Sequence, residues 1–270
     1  MNSTVSYLLG SAKPEIQRLL SQTELFEREV TWLFDQLTPS PGGAAVDVGC
    51  GPLGVLPALR RHVGPGGRVV GVDLDPVMIS HAEQHSAALG LDVEFVHRDA
   101  TSTGLPADGF DLAHERLVLV NVADPAAVVS ELVRLVRPGG IVVLEEVDWL
   151  SWQCEPPHPA WVELRHLLHQ LWNSRRFDPC IGRRLPALFA NAGVHDAQAI
   201  AHAGIDGNDQ PYQRLIIGFA ERFGSQLIEL GFTTPGQLHR LIQQVVEHLD
   251  RPGTIVVRAM TVQAWGTVTT

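Results

Sequence analysis

Val46 to Leu56 read VDVGCGPLGVL, with Gly49, Gly51 and Gly54 at the G-x-G-x-x-G spacing of a dinucleotide-binding turn. The run before the glycines is short and β-branched. The run after them carries Val55, Leu56, Leu59 and Val63 at helical period until GPGG (64–67) stops it. Asp73 follows Gly54 by nineteen positions and ends RVVGVD (68–73), where such a fold holds the hydroxyls of a ribose. Glycines and acid together would ordinarily name a nicotinamide or flavin dinucleotide, yet the same features serve a different cofactor equally well. The surroundings of the loop have to choose.

Outward from the loop, β-branched runs and helical segments alternate between Gly43 and Asp148, the pattern of a doubly wound, mostly parallel α/β sheet. Strands are expected at AAVDV (44–48), RVVGVDL (68–74), DVEFVHRDA (92–100), FDLAHERLVL (110–119) and IVVLEEVDW (141–149). Helices are expected at about 76–89 and 125–136, the second with Val128, Val129, Leu132, Val133 and Val136 on its apolar face. VHDAQAIAHAG (194–204) predicts a sixth strand and GTIVVRAMTVQAWGTV (253–268) a final edge strand, making a seven-stranded Rossmann-like sheet. Residues 150–182 are Pro-rich and then amphipathic, and 209–250 supply two more helices, so both look like helical insertions.

Composition narrows the ligand. A chain of 270 residues, 45% hydrophobic, can bury a core in one large domain or in one domain with an appendage. Thirty acidic against twenty basic side chains, a formal charge of −10, argue against nucleic acid as a partner and for a small molecule. Cys50, Cys154 and Cys180 form no C-x-x-C pair, which predicts neither disulfides nor a thiolate zinc site and fits a reducing compartment. The N-terminus lacks a basic start with an apolar run, and no stretch approaches the roughly 18 apolar residues of a membrane span. A cytoplasmic protein without a membrane partner is expected, and a homodimer is left open. No metal is expected: HAEQH (81–85) is not the H-E-x-x-H zinc helix, and His166 with His169 has no further ligand nearby.

Asp47 is the first discriminator between cofactors. It stands two residues before the first glycine, where a dinucleotide turn usually has an apolar residue, and a carboxylate beside a pyrophosphate would set two negative groups at one helix N-terminus. It suits a cationic ligand such as an ammonium group, directly or through water. Asp47, Asp73 and Asp99 lie at the carboxyl ends of three successive strands and so should face one crevice. A sulfonium cofactor with an amino group, a ribose diol and an adenine offers partners for all three.

VDVGCGPLG, VVGVDLDPVMISHA, RDATSTGLPADGFDL and ERLVLVNVADPAAVVSELVRLVRPGGIVVLEE resemble the successive motifs of class I S-adenosylmethionine-dependent methyltransferases, over about residues 43–149. The branch most similar contains quinone-biosynthesis and bacterial natural-product enzymes, whose N-terminal helical lid YLLGSAKPEIQRLLSQ (7–22) also resembles. The loop departs from the commoner family pattern, with its third glycine one place later, at Gly54 after Pro52 and Leu53.

The resemblance implies S-adenosyl-L-methionine as cofactor and S-adenosyl-L-homocysteine as product. Asp47, Gly49 and Gly51 would line the methionine end, Asp73 and Leu74 the ribose, and Asp99 with Ala100 the adenine; Gln22, Glu115 and Arg116 would add contacts. His114, Glu146 and Asp148 are the candidates for a base. Tyr7, Trp149 and Trp152 are the candidates for walling a flat, apolar acceptor. The implied organisation is a lid at 1–40, a cofactor core at 41–149, an acceptor cap at 150–182, a core helix and strand at 183–205, a second cap at 206–252 and the edge strand at 253–270. Two alternatives remain: a methyltransferase-fold cyclase or non-transferring binder, and an NAD(P)-dependent oxidoreductase, for which no Tyr-x-x-x-Lys signature is present.

Overall fold

A computed structural model describes residues 13–37, 40–194, 196–208 and 210–269, and the chain divides into two units. The first takes in residues up to Glu146, Arg184–Ile200 and the segment from Gln263 onward.

The larger sheet has seven strands, β1 Ala44–Val48, β2 Arg68–Asp73, β3 Glu94–His97, β4 Phe110–Arg116, β5 Val136–Asp148, β7 Gln198–His202 and β10 Met260–Thr267, with most of their residues in the first unit. Their order is β3-β2-β1-β4-β5-β10-β7, with β1, β2, β3, β4 and β5 parallel to their neighbours among these five. Strand order reverses between β1 and β4, the switch point at which an open α/β sheet leaves a ligand crevice beyond its carboxyl ends. Register places Asp47 between Gly71 and His114, and Arg116 opposite Glu145.

Helices α3 Leu56–Val63, α4 Pro76–Ala88, α5 Pro125–Leu135 and α7 Leu185–Asn191 connect the strands. Two of these begin with Asp-Pro: Asp75 accepts from Val77 N at 2.8 Å and Asp124 from Ala127 N at 3.0 Å, while each proline occupies a first turn where no N–H is needed. Before the sheet stand α1 Lys13–Leu25 and α2 Glu27–Gln36. Val30 and Leu33 of α2, with Leu37 just beyond it, join Leu56, Leu59, Val63, Leu112 and Val143 in one buried cluster. The segment read as a lid is therefore core packing from Val30 onward, because its apolar residues recur at helical spacing against α3 and the sheet.

Two expectations are corrected. The last strand is not at an edge: β10 lies between β5 and β7, and β7 takes the edge. Residues 253–270 also hold two strands rather than one, since β9 Ile255–Val257 pairs elsewhere. Alternation identifies a strand but carries no information about its neighbours.

The second unit takes in Val147–Arg183 and Ala201–Val262. Its small antiparallel sheet joins β6 Gln153–Glu155, β9 and β8 Ile205–Asp206, three strands too short to be seen in the sequence. Around it pack α6 Pro159–Ser174, α8 Leu215–Glu229 and α9 Pro235–Leu249, the last started by a capping box of Thr234 and Gln237.

Candidate active site

The glycine loop is held by backbone and carboxylate together. Gly49 N and Cys50 N both donate to Val72 O, at 2.7 and 2.9 Å, so the loop is stitched to the end of β2. Gly51 N donates to Asp73 Oδ2 at 2.9 Å, and Asp75 N to Asp73 Oδ1 at 2.8 Å. Burial pushes the Asp73 carboxyl up, against the opposing pull of those two N–H donors. Burial likewise raises the Cys50 thiol, with Asp73 and Asp47 adding to it. His85 of α4 donates from Nδ1 to Pro52 O at 3.1 Å and pins the middle of the loop.

Gly54 explains the departure in loop spacing. Its φ is +51°, and a Cβ there would lie 2.5 Å from Asp47 Oδ2 and 2.6 Å from Cys50 O. A side chain would thus displace the very carboxylate that the loop is folded around. Gly49, at φ +78°, is closed on one face by Val118, whose Cγ2 a Cβ would strike. Gly51 is open: a Cβ would meet nothing within 4 Å.

Behind the loop runs a chain of buried polar groups across four adjacent strands. Asp47, 2% exposed, receives Val55 N at 3.4 Å on Oδ2 and His114 Nδ1 at 2.8 Å on Oδ1. His114, fully buried, donates from Nε2 to Glu145 Oε1 at 2.7 Å, and Gln263 Nε2 donates to Glu145 Oε2 at 2.6 Å. An imidazole with a carboxylate on each nitrogen is a doubly protonated donor. Burial alone would lower its pKa, but the hydrogen bonds and charges of Asp47 and Glu145 outweigh it and hold His114 at about 9. In return His114 draws Glu145 below its usual value, against burial.

Neither nitrogen of His114 is free to take a proton from an acceptor. Glu115 and Glu146, each fully buried, accept from Val118 N at 3.2 Å and Val120 N at 3.1 Å. Arg116 lies over the Phe26 ring at 5.5 Å, and Gln22 Oε1 accepts from Arg18 at 3.3 Å. Leu74 is 43% exposed, and its carbonyl accepts from His97 Nε2 at 2.7 Å. Asp99 falls two residues past β3 rather than on it, exposed, where it accepts from Thr101 N and Oγ1; Ala100 follows, half-buried. Tyr7 lies outside the described residues.

Asp148, Trp149 and Trp152 belong to the second unit. Asp148 is paired with Arg183 and caps the turn Trp149–Ser151 by accepting from Leu150 N at 3.1 Å. Trp149 and Trp152 are buried against Trp161, Trp172 and Phe219, with ring centroids 4.7–6.3 Å apart. Met78 is buried, as expected for core.

Glu145, Gln263 and Val118 were missed. Glu145 is visible in retrospect: it lies two residues beyond the strand partner of His114, on the same face, and beside a buried histidine it is the natural counter-ion. Nothing local marks Gln263. Among the described residues no group of three histidine, cysteine or acidic side chains is arranged to hold a metal ion.

Residues 46–144 match the family model of a methyltransferase domain. An uncharacterized 37.1 kDa protein in transposon TN4556 of Streptomyces fradiae is 33% identical over 176 residues, 64% of this chain and 50% of that one. A demethylmenaquinone methyltransferase of Geobacillus stearothermophilus is 35% identical over 46% of this chain and 54% of its own. A nocamycin O-methyltransferase of Saccharothrix syringae is 34% identical over 45% and 44%. The chain thus spans about half the length of the curated relatives it matches. Among solved structures, an S-adenosylmethionine-dependent methyltransferase of Aquifex aeolicus is 21% identical over 69% of this chain and 90% of its own, with a TM-score of 0.53. The [4+2]-cyclase SpnF is 18% identical over 90% and 82%, also with a TM-score of 0.53. At these identities the structural likeness speaks for the fold. With the domain model over the glycine loop and the strands beside it, the dinucleotide reading falls away, and residues 46–144 are those of a methyltransferase domain, similar to the class I S-adenosylmethionine-dependent methyltransferases.

Proposed function

We propose that this chain binds S-adenosyl-L-methionine on the glycine loop and transfers its methyl group to a small, hydrophobic or aromatic acceptor of the secondary-metabolite class. The observation that carries the reading is the pairing of Gly51 with Asp73 at the end of β2, inside the matched domain. The residues fit the cofactor. Gly51 leaves open space above the loop, and each Asp73 oxygen receives one backbone N–H while retaining a lone pair for a ribose hydroxyl. Exposed Leu74 supplies an apolar edge, and Asp99 with Ala100 an acceptor for an exocyclic amine.

When bound, the sulfonium supplies a methyl group that is already activated. The chain's own part is then orientation: Asp47, His114 and Glu145 hold the loop from behind, and Gly49 and Gly51 allow close approach of the backbone. Alignment of reactants contributes on the order of 7 to 11 kcal/mol in the best intramolecular models, which makes positioning a sufficient task. Since His114, Glu146 and Asp148 are engaged with protein groups, we assign catalysis here to positioning and exclusion of water. The acceptor class is supported by the names of two relatives, a demethylmenaquinone methyltransferase and a nocamycin O-methyltransferase. We also read 150–182 and 206–252 as the segments that shape the acceptor site.

The test is calorimetric titration with S-adenosylmethionine and S-adenosylhomocysteine, followed by a screen of acceptors with methyl-labelled cofactor. Saturable binding and a product heavier by one methylene are expected. Saturable binding of NAD with none of either sulfur ligand would overturn the reading, and an altered product without mass gain would indicate a cyclase. Asp73→Ala should weaken S-adenosylhomocysteine binding by roughly ten- to a hundredfold, since charged hydrogen bonds contribute about 1.5–3 kcal/mol.

A further inference from the structure

One acid of the first unit is buried where the reaction gives no reason for it. Helix α5 buries Val128, Val129, Leu132 and Leu135, and Glu131 among them. Its partners lie in the segment RDATSTGL, residues 98–105, which follows edge strand β3 and carries Asp99 and Ala100. Arg98 N donates to Asp73 O at 3.0 Å and ties the start of this loop to β2. Asp99 and Ser102 then form an antiparallel bridge, with Ser102 N donating to Asp99 O at 3.1 Å. Thr101 donates from N at 2.8 Å and from Oγ1 at 2.7 Å, both to Asp99 Oδ1, which leaves Oδ2 to accept from a ligand. These contacts shape the loop but do not hold its far end.

The far end is held from α5. Buried Thr103 donates to Glu131 Oε1 twice, from N at 2.9 Å and from Oγ1 at 2.6 Å. Arg134 donates to Glu131 Oε2 from Nε at 2.7 Å, and from Nη2 to Glu131 Oε1 at 2.8 Å and to Leu105 O at 2.9 Å. The Arg134 guanidinium, helped by the Thr103 donors, outweighs burial and holds the Glu131 carboxyl at about 2, so the acceptor is ionised and its bonds are of the stronger, charge-assisted kind.

We propose that Glu131, acting through Thr103, is a positioning residue for the base end of the cofactor, fixing the far end of the 98–105 loop so that Asp99 and Ala100 stand where an exocyclic amine is recognised. The inference rests on the cofactor reading above, in which Asp99 with Ala100 takes the adenine. Loosening the support should therefore cost recognition of the amine rather than binding in general.

The test titrates S-adenosylhomocysteine and its hypoxanthine analogue, which has a carbonyl where adenine has the amine, into wild type, E131A, T103V and T103S. Amide exchange of residues 101–105 is measured without ligand. Wild type should prefer the adenine ligand by about tenfold or more, the cost of facing a fixed acceptor with a second acceptor. E131A and T103V should lose about tenfold on the adenine ligand and little on the analogue, and the 101–105 amides should exchange about tenfold faster in E131A. T103S keeps the hydroxyl and should stay within about twofold of wild type on both ligands. A merely structural loss would lower both affinities alike and preserve the preference; that result, or unchanged exchange in E131A, would overturn the proposal. T103S as poor as T103V would also overturn it, because the hydroxyl would not be the link. Equal binding of the two ligands by wild type would remove the amine from Asp99 and the proposal with it. A wild type that binds neither ligand would strike the cofactor reading, while the exchange measurement would still decide whether Glu131 holds the loop.

Discussion

The two units of this chain have opposite interiors. At the centre of the first are Asp47, His114, Glu115, Glu145, Glu146 and Gln263, none more than 2% exposed. At the centre of the second are Trp149, Trp152, Trp161, Trp172, Phe219 and Phe223, packed edge-to-face and stacked with centroids 4.7–6.4 Å apart. Aromatic packing yields stability through buried area and tolerates many orientations. Buried ion pairs gain little net stability, yet each member has a defined direction and a heavy penalty for losing its partner. The first unit therefore spends its core on precision at the glycine loop, and the second on cohesion.

That contrast predicts different consequences for comparable losses of stability. His114→Leu should have the largest effect, about 3–5 kcal/mol in urea unfolding, because it strands two buried carboxylates, and it should also cost cofactor affinity. Trp172→Ala should cost a similar ~3–5 kcal/mol by leaving a cavity, while S-adenosylhomocysteine affinity stays within error at a temperature where the variant is folded. An affinity loss in the tryptophan variant but not in the histidine variant would reverse the assignment of roles.

The next largest effect is in pH. His114 is held at about 9 against an ordinary 6.5, so the folded state binds its proton more tightly than the unfolded state. The stabilisation is complete below 6.5 and is lost as pH rises through about 9, a decline of roughly 3 kcal/mol. Unfolding midpoints measured from pH 6 upward should fall for wild type and stay flatter for His114→Leu. Gly54→Ala should be smaller, about 1–2 kcal/mol from the left-handed backbone alone, with a drop in cofactor affinity that reports the displaced Asp47 carboxylate. Unchanged affinity would detach Asp47 from the loop's function.

Most of the sheet was legible because its strands and helices announce themselves locally. The AAVDV and RVVGVD runs, the Asp-Pro helix starts and the GPGG stop each depend on a few adjacent residues. The second sheet was not, since strands of two and three residues have too little period to register. The site divided in the same way. Gly49, Gly51, Asp47 and Asp73 stood out by spacing, and their places at the strand ends followed. His114 was singled out as a candidate base, but its hydrogen bonds could not be read: its partners are 67 and 31 positions away in the chain.

From residues alone came the α/β class and the switch-point loop. Those depend on local geometry, on which backbone a glycine permits and which face an alternating strand presents. Only the folded sheet could show that Asp47 turns inward to His114 and that Glu145 joins Gln263 across 118 residues of chain. Strand order brings these groups together, and strand order arises from the packing of the whole chain, which no short stretch encodes.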